Sequence, residues 1–328
     1  MKYTKLTVIL ILILTIFFGY NKWVFSWGMF QLYNEAEYSK HRHEKIISFN
    51  PDEDTLYLPG MEDKEFFQSV NDFSIMRKKG VREFIYIYLT TGREYTIRSI
   101  ERSGSYIDTI NSIIKKNPDI PAEIALLPLL ESGFDPMAVS RSKAVGLWQF
   151  MERTSAYVGL RTDGMVDERR NVEKSTEAAI RHLRHLYKKF GSWELALAAY
   201  NGGEGLISRA IENAGTNNIW ELIKSGALPK ETSEYIPRYA ALMLIYKNQR
   251  LFRVEKEIEI EREQPAYELC LKEQKSLKEL SEQFGTNPDE IKKMNPELKT
   301  DLTPFSDNCY PLKVPAGKNR SLIAKMIF

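Results

Sequence analysis

One carboxylate of the chain directly follows an apolar segment. Residues 124–130 are all apolar, and Glu131 comes next. A helix that is apolar on every side is buried, and burial raises the pKa of a carboxyl group because the charged form loses its hydration. A carboxyl group that keeps its proton near neutral pH can act as a general acid toward the oxygen of a glycosidic bond. A solvated helix end is the plain alternative for this glutamate.

Three further motifs follow Glu131 along the chain. They are Ala-Val-Gly-Leu-Trp-Gln-Phe-Met at residues 144–151, Ala-Ala-Tyr-Asn-Gly-Gly at 198–203 and Glu-Tyr-Ile-Pro at 234–237. Taken one at a time, each has a plain interpretation. The tyrosines could be core residues, the amides could be turn residues, and the glycines could simply shape the backbone. The order and spacing of the motifs carry more information than any one of them.

In this order and spacing, the four segments resemble the signatures of the family 1 lytic transglycosylases, which have the lysozyme-like fold of the soluble lytic transglycosylase. The resemblance covers residues 81–248. It is strongest to the membrane-bound lytic murein transglycosylase D type, which similarly reads Gly-Leu-Trp-Gln-Phe. The resemblance implies an enzyme that cleaves peptidoglycan glycan strands between N-acetylmuramic acid and N-acetylglucosamine.

The resemblance also implies a role for each motif residue. Glu131 would be the sole catalytic acid and base, and Tyr235 would position its carboxyl group. The other side chains implied at the substrate are Ser132, Gln149, Tyr200 and Asn201. Gln149 would contact the sugar chain, Tyr200 and Asn201 would line the cleft beside the scissile bond, and Ser132 would help to hold substrate or carboxyl.

One carboxyl group suffices in the mechanism that the family uses, whereas ordinary glycosidases need two. The acid protonates the glycosidic oxygen, and the carboxylate then takes the proton of the sugar's own 6-hydroxyl, which closes onto C1 as a 1,6-anhydro end. Asp135 is the nearest second carboxylate, but it precedes Pro136 and should lie in an extended turn. A hydrolytic muramidase and an inactive peptidoglycan-binding protein on the same fold are the alternatives.

The elements that must position these residues are mainly helical. Val81, Phe84, Ile85, Tyr88 and Leu89 recur at helical spacing. Further on, Gly191 is a helix stop and Ser192 a cap for the helix that follows. We predict a mainly α protein whose lysozyme-like catalytic domain covers residues 81–250, after a juxtamembrane extension at 27–80 and before a linker at 251–265.

Residues 266–317 have a different pattern, with a strand, two short helices and a second strand. This βααβ unit resembles a LysM module, a class that binds N-acetylglucosamine-containing glycan. The usual Gly-Asp-Thr before the first helix is Gln274-Lys275-Ser276 here, and a structural spacer is the alternative. Cys270 and Cys309 lie in the first strand and just before the second. Because those strands pair, we predict a disulfide between them. A tail, 318–328, follows.

The N-terminal residues 1–26 differ from the rest. Lys2 and Lys5 precede an apolar run at residues 6–18, which is typical of a membrane anchor or a cleaved signal peptide. Either one exports the remainder, so we predict a periplasmic or cell-envelope location. We also predict that the N-terminal segment is a membrane anchor, because the apolar run reaches roughly 20 residues when it is extended past Lys22, whose amino group can reach the membrane surface.

Composition argues against other partners. The 46 lysine and arginine residues against 44 acidic residues leave a net charge of +2, too little for a nucleic-acid-binding surface. The two cysteines have no CxxC spacing. His182 and His185 share a helix face with several basic residues that would repel a cation. We therefore predict no metal and no cofactor, and the sequence carries no signal for the oligomeric state.

Overall fold

A computed structural model of the protein describes residues 66–71, 74–306 and 309–316. Most of them are helical, as predicted. The α-helices of the larger, N-terminal part are α1 Phe66–Asn71, α2 Lys79–Leu89, α3 Arg93–Ser103, α4 Ile107–Lys115, α5 Leu127–Glu131, α6 Glu152–Tyr157, α7 Val172–Phe190, α8 Trp193–Gly202, α9 Glu204–Ala214, α10 Ile219–Lys224 and α11 Lys230–Lys247. Short 3-10 helices cover Ser74–Arg77, Ala122–Leu126 and Glu255–Glu257. We call this part the helical body.

Helix α11 is the centre of the helical body. It is buried along most of its length from Tyr235 to Ile245, and it packs against α1, α2, α5 and α8. A helix surrounded in this way must be apolar on nearly all sides. The proposed acid at the end of α5 and the motif at the end of α8 therefore meet the same central helix.

Local signals set the ends of the long helices where the sequence predicts them. Helix α7 ends at Gly191, whose φ of 69° is left-handed, and Ser192 accepts a hydrogen bond from the backbone N–H of Leu195 at the start of α8. The predicted stripe of α2 is confirmed, since Val81, Ile85 and Leu89 are buried.

The helical body begins before residue 81. Helix α1 lies in the segment predicted as an extension, yet its Phe66 and Phe67 are buried. Phe66 stacks on Tyr239 of α11, and Phe67 packs against Trp193 at the start of α8. Hydrophobic periodicity did not reveal this pair of core aromatics, because a six-residue helix is too short to show a helical repeat.

The C-terminal part contains β1 Ala266–Leu271, α12 Leu277–Phe284, α13 Pro288–Met294 and β2 Tyr310–Pro315, which we call the C-terminal unit. The strands pair antiparallel, with Leu269 opposite Leu312. Their inward side chains form a separate small core with Leu280, Phe284 and Ile291. Cys270 and Cys309 have Cα atoms 5.2 Å apart and are joined as a disulfide in the structure. A relationship to LysM modules stays a prediction.

The C-terminal unit is tied to the helical body. Val166 of the helical body belongs to the core of the C-terminal unit and forms a bridge with Leu298. The linker, residues 251–265, lies along α3, where the backbone N–H of Glu261 donates to Glu101 O at 3.0 Å. Gly104 permits this approach, because a Cβ there would lie 2.1 Å from Glu261 O.

None of the helices in the described ranges combines the length and the apolar character that a membrane crossing needs. The predicted anchor at residues 1–26, most of the extension at 27–80 and the tail at 318–328 lie outside the described residues.

Candidate active site

Glu131 is the last residue of α5, and its side chain is half-buried. The chain then turns sharply, because Gly133 and Phe134 both have left-handed backbone angles, with φ of 58° and 57°. A side chain at position 133 would collide with α3, since a Cβ would lie 2.5 Å from Ser99 Oγ. Glycine at this position therefore lets the end of α5 pack against α3 and holds the carboxyl group in place.

The carboxyl group of Glu131 accepts a hydrogen bond from the hydroxyl of Tyr235 on α11. The pKa of Glu131 is raised to about 7. Burial is the largest cause, the hydrogen bond from Tyr235 acts in the opposite direction, and the charge of Glu231 raises the pKa further. Burial and the charge of Glu131 together hold the pKa of Tyr235 well above its usual range, so its hydroxyl keeps its proton. Glu131 therefore gains and loses its proton near neutral pH, while the Tyr235 hydroxyl beside it stays protonated and donates its hydrogen bond.

The motif at residues 144–151 forms a tight loop next to α5. Val145 and Phe150 pair through two backbone hydrogen bonds of 3.1 Å. Gly146 has a φ of 85°, and a Cβ there would lie 2.0 Å from Arg169 O, so no other residue fits. Gln149 has a left-handed backbone too, with a φ of 48°, which the close turn imposes.

Gln149 and Ser132 turn toward the backbone. Gln149 Nε2 donates to Gly146 O at 2.9 Å, so its amide stiffens the loop. Ser132 Oγ donates to Leu147 O at 3.0 Å and is buried, so it joins the end of α5 to the same loop. The hydrogen bonds described for Ser132 include none to the Glu131 carboxyl. Contacts of either side chain with substrate stay predictions.

Tyr200 lies near Glu131. Burial is the main cause that raises the pKa of Tyr200 well above its usual range, and the charge of Glu131 adds to it. Its hydroxyl donates to Trp148 O at 2.8 Å. Trp148 is fully buried, and its indole N–H donates to Thr176 Oγ1 at 3.0 Å. The loop is thereby attached to α7 on one side and to α8 on the other.

Asn201, the next residue on α8, is half-buried, and its Oδ1 accepts a hydrogen bond of 2.9 Å from Thr232 Oγ1. Thr232 lies in the first turn of α11, three residues before Tyr235. The structure thus pairs Glu131 with Tyr235 of α11 and joins Asn201 to Thr232 of the same helix. Ser132 and Gln149 hydrogen-bond to backbone oxygens of the loop at 144–151.

Comparison with known proteins finds one family model that matches part of the chain. Residues 108–223 match the family model "Transglycosylase SLT domain". Glu131 and the motifs at 144–151 and 198–203 lie inside the matched residues, and Tyr235 lies beyond their end.

Parts of the chain are similar to two known proteins. Membrane-bound lytic murein transglycosylase D of Escherichia coli (strain K12) is 39% identical over 158 residues, which are 47% of this chain and 34% of that protein. Peptidoglycan transglycosylase gp16 of Escherichia phage T7 is 46% identical over 79 residues, 24% of this chain and 6% of that protein. The chain therefore spans about a third, or less, of the length of these two relatives.

Among solved structures, the 70-kDa soluble lytic transglycosylase in a complex with bulgecin A aligns with 16% identity and a TM-score of 0.41, over 60% of this chain and 38% of that chain.

Asp135, the carboxylate that follows Glu131 most closely in the sequence, is engaged elsewhere. Asp135 Oδ1 accepts a hydrogen bond of 2.8 Å from the backbone N–H of Met137, and its Oδ2 lies 3.7 Å from Arg102. The hydrogen bond from Met137 closes a turn around Pro136, and the extended backbone expected at Asp135 stays a prediction. Within the described ranges, no group of three or more His, Cys, Asp or Glu side chains is arranged to hold a metal ion. His185, one of the two histidines considered as metal ligands, has its Nε2 atom 3.1 Å from Glu204 Oε2.

Two contributors to the site were missed by sequence reasoning. Thr232 and Glu231 both precede Tyr235 on α11, and they affect Asn201 and Glu131 respectively. The i, i+3 spacing of Thr232 and Tyr235 was the signal that could have identified the threonine. No comparable pattern marks Glu231, which is exposed.

Proposed function

We propose that this protein is a peptidoglycan lytic transglycosylase in which Glu131 acts first as general acid and then as general base. The observation that carries the proposal is the half-buried Glu131 carboxyl, with a pKa of about 7 and a hydrogen bond from the Tyr235 hydroxyl. A carboxyl group of this kind gives up and recovers a proton at neutral pH without a second carboxylate. The SLT domain and its similarity to transglycosylases support the same reaction.

In the proposed reaction, protonated Glu131 gives its proton to the oxygen that links N-acetylmuramic acid to N-acetylglucosamine. The bond from C1 to that oxygen breaks, and the 2-acetamido group of the substrate stabilises the cationic centre. The Glu131 carboxylate then takes the proton of the muramoyl 6-hydroxyl, and O6 bonds to C1. The products are a new N-acetylglucosamine end and a 1,6-anhydromuramoyl end, and no water is consumed.

The neighbouring side chains would support these steps. Tyr235 orients the carboxyl group through its hydroxyl. Tyr200 and Asn201, at the end of α8, would line the cleft beside the scissile bond. Gln149 would add a contact to the sugar chain, while the hydrogen bond of Ser132 to Leu147 O keeps the loop of Gln149 next to Glu131.

The remaining segments suggest where the enzyme would work. The N-terminal apolar segment would export the protein and hold it at a membrane of the cell envelope, and the similar transglycosylase D of Escherichia coli is named as membrane-bound. The C-terminal unit would bind N-acetylglucosamine-containing glycan as LysM modules do. Its docking through Val166 would keep it at a constant position relative to the SLT domain.

The test is digestion of purified sacculi, with the released muropeptides identified by mass spectrometry. Anhydro ends support the proposal, reducing ends indicate a hydrolytic muramidase, and no release indicates a peptidoglycan-binding protein. Glu131→Gln should abolish release and leave the fold intact. Asp135→Asn is the matched control, since Asp135 is paired with Arg102 and its loss should leave most of the release in place.

A further inference from the structure

The first two turns of α11 present two hydroxyl groups to the proposed active site. Tyr235 donates to Glu131, and Thr232 donates to Asn201 Oδ1 at 2.9 Å. The two residues are three positions apart, so they lie on the same face of the helix. Thr232 is only 3% exposed, and its hydroxyl reaches a residue 31 positions earlier in the chain.

The close approach of α8 to α11 depends on Gly202. A Cβ at position 202 would lie 2.7 Å from Thr232 Oγ1 and 3.1 Å from Thr232 Cγ2. Such distances would push the helices apart and break the hydrogen bond to the neighbouring Asn201. The contact between Thr232 and Asn201 therefore depends on the close packing of α8 against α11 at Gly202.

The direction of this hydrogen bond has a chemical consequence. An asparagine amide has an oxygen that accepts and a nitrogen that donates, and the two can exchange places by rotation. A buried hydroxyl that donates to Oδ1 favours this orientation. In the flipped orientation the amide N–H would donate to the hydroxyl oxygen, and the hydroxyl proton would lose Oδ1, its acceptor among the described hydrogen bonds. The nitrogen of Asn201 is then left as a donor on the side away from Thr232.

We propose that Thr232 is a positioning residue that holds the Asn201 amide with its nitrogen toward the carbonyl oxygen of the substrate's 2-acetamido group. This inference rests on the proposed function, because Asn201 meets an acetamido group only if the protein binds peptidoglycan. The acetamido oxygen must be held near C1 while the glycosidic bond breaks. A correctly oriented donor therefore favours the transition state, and its loss should reduce turnover more than substrate binding.

The test compares two replacements of Thr232 in the full-length protein. Thr232→Val keeps the shape and removes the donor, whereas Thr232→Ser keeps the hydroxyl. We expect Thr232→Val to lower kcat about tenfold, the effect of one lost neutral hydrogen bond, with KM changed less than about twofold. Thr232→Ser should restore most of kcat. The pH dependence should stay unchanged in both, because neither replacement touches Glu131.

A double-mutant cycle tests whether Thr232 acts through Asn201. In an Asn201→Ala background, Thr232→Val should cause no further loss of kcat, because the amide to be oriented is absent. A wild-type kcat in Thr232→Val, an equal loss in Thr232→Ser, or a full additional loss in the double variant would each overturn the proposal.

Asn201→Asp supplies a second route if Thr232→Val does not fold, as judged by circular dichroism. It keeps an oxygen for Thr232 and removes the donor nitrogen, so it should fold normally and lose as much kcat as Asn201→Ala. An Asn201→Asp variant with wild-type kcat would also overturn the proposal. Failure of the proposed function itself is distinguishable, because the wild-type protein would then release no anhydro ends.

Discussion

The hydroxyl of Tyr235 donates a hydrogen bond to the carboxyl group of Glu131, across 104 positions of sequence. Tyr235 is 4% exposed, and the helix that carries it is the centre of the helical body. Burial and this hydrogen bond have opposite effects on the Glu131 carboxyl group, because burial raises its pKa while the hydrogen bond lowers it. The result is a carboxyl group whose pKa is about 7, and several measurable consequences follow from this pair.

The alkaline limb of activity is the first consequence. Glu131 must carry its proton to act as an acid, so kcat/KM for sacculus digestion should fall as pH rises through about 7. The measurement is the initial rate of anhydro-muropeptide release between pH 4 and pH 9, taken as roughly the range in which carboxyl pKa values are found in clefts. A limb near 4.5, the ordinary value for glutamate, would contradict the assignment.

Replacing Tyr235 should change both the rate and its pH dependence. Tyr235→Phe removes the hydrogen bond that lowers the pKa of Glu131, so the alkaline limb should move to higher pH. The carboxyl group also loses its orientation, and kcat should fall at least about tenfold.

Tyr239→Phe is the matched control for Tyr235→Phe. Tyr239 is one turn further along α11, and its hydroxyl donates to Glu123 O at 2.6 Å. Its loss should cost about 1 kcal/mol of unfolding free energy and leave the alkaline limb unmoved. Equal shifts in the two variants would mean that Tyr235 affects activity only through general packing.

Glu131 should also reduce stability at alkaline pH. Its pKa in the folded protein, about 7, lies above the ordinary 4.5. Its contribution to stability is therefore complete below about 4.5 and is lost as pH rises through about 7. Glu131→Gln removes this dependence, and at pH values near 8 it should raise the unfolding free energy by at most about 3 kcal/mol.

Thermal unfolding of Glu131→Gln and wild type on both sides of this range measures the effect. The difference in Tm should be several degrees in favour of the variant on the alkaline side and should shrink toward acid pH. A difference that does not depend on pH would show that the carboxyl group ionises as freely in the folded protein as in the unfolded chain.

Glu297 should make the docking of the C-terminal unit depend on pH. It is 3% exposed at the contact with the helical body, where Asn171 Nδ2 and Tyr310 Oη both donate to its Oε1. Its Oε2 is buried and has no hydrogen-bond partner among the described residues. Burial raises the pKa of Glu297, and the charge of Glu173 adds to this. The docking should therefore weaken as pH rises through the folded-state pKa of Glu297.

Limited proteolysis of the linker, residues 251–265, measures this weakening, because the linker lies along α3 while the two parts are docked. Cleavage should accelerate as pH rises in the wild type and respond much less in Glu297→Gln, which resembles the protonated carboxyl group. Glu268→Gln, an exposed replacement on β1, is the control. Identical pH responses in the wild type and Glu297→Gln would rule out Glu297 as the cause.

The disulfide between Cys270 and Cys309 should stabilise the C-terminal unit. It closes a loop with a sequence separation of 39, which corresponds to about 4 kcal/mol of loop entropy in the unfolded chain. Reduction, or Cys270→Ser with Cys309→Ser, should lower the stability of this unit and leave the proposed sacculus cleavage by the helical body largely unchanged. Two titratable thiols in the unreduced protein would contradict the bond.

Sequence alone was sufficient for features that depend on neighbouring residues. The stop at Gly191, the cap at Ser192 and the stripe of α2 follow from backbone geometry and helical spacing, which act over a few residues. The burial expected for Glu131 also followed from the apolar residues before it.

Tertiary structure decided what each side chain touches. Ser132 and Gln149, expected at the substrate, hydrogen-bond to the backbone, and Thr232 reaches Asn201 although nothing local connects them. Such contacts depend on how α5, α8 and α11 cross, and that crossing results from the packing of many side chains together. For this reason the residue types of the site were readable along the chain, whereas the partner of each proton and each amide became visible only in the folded protein.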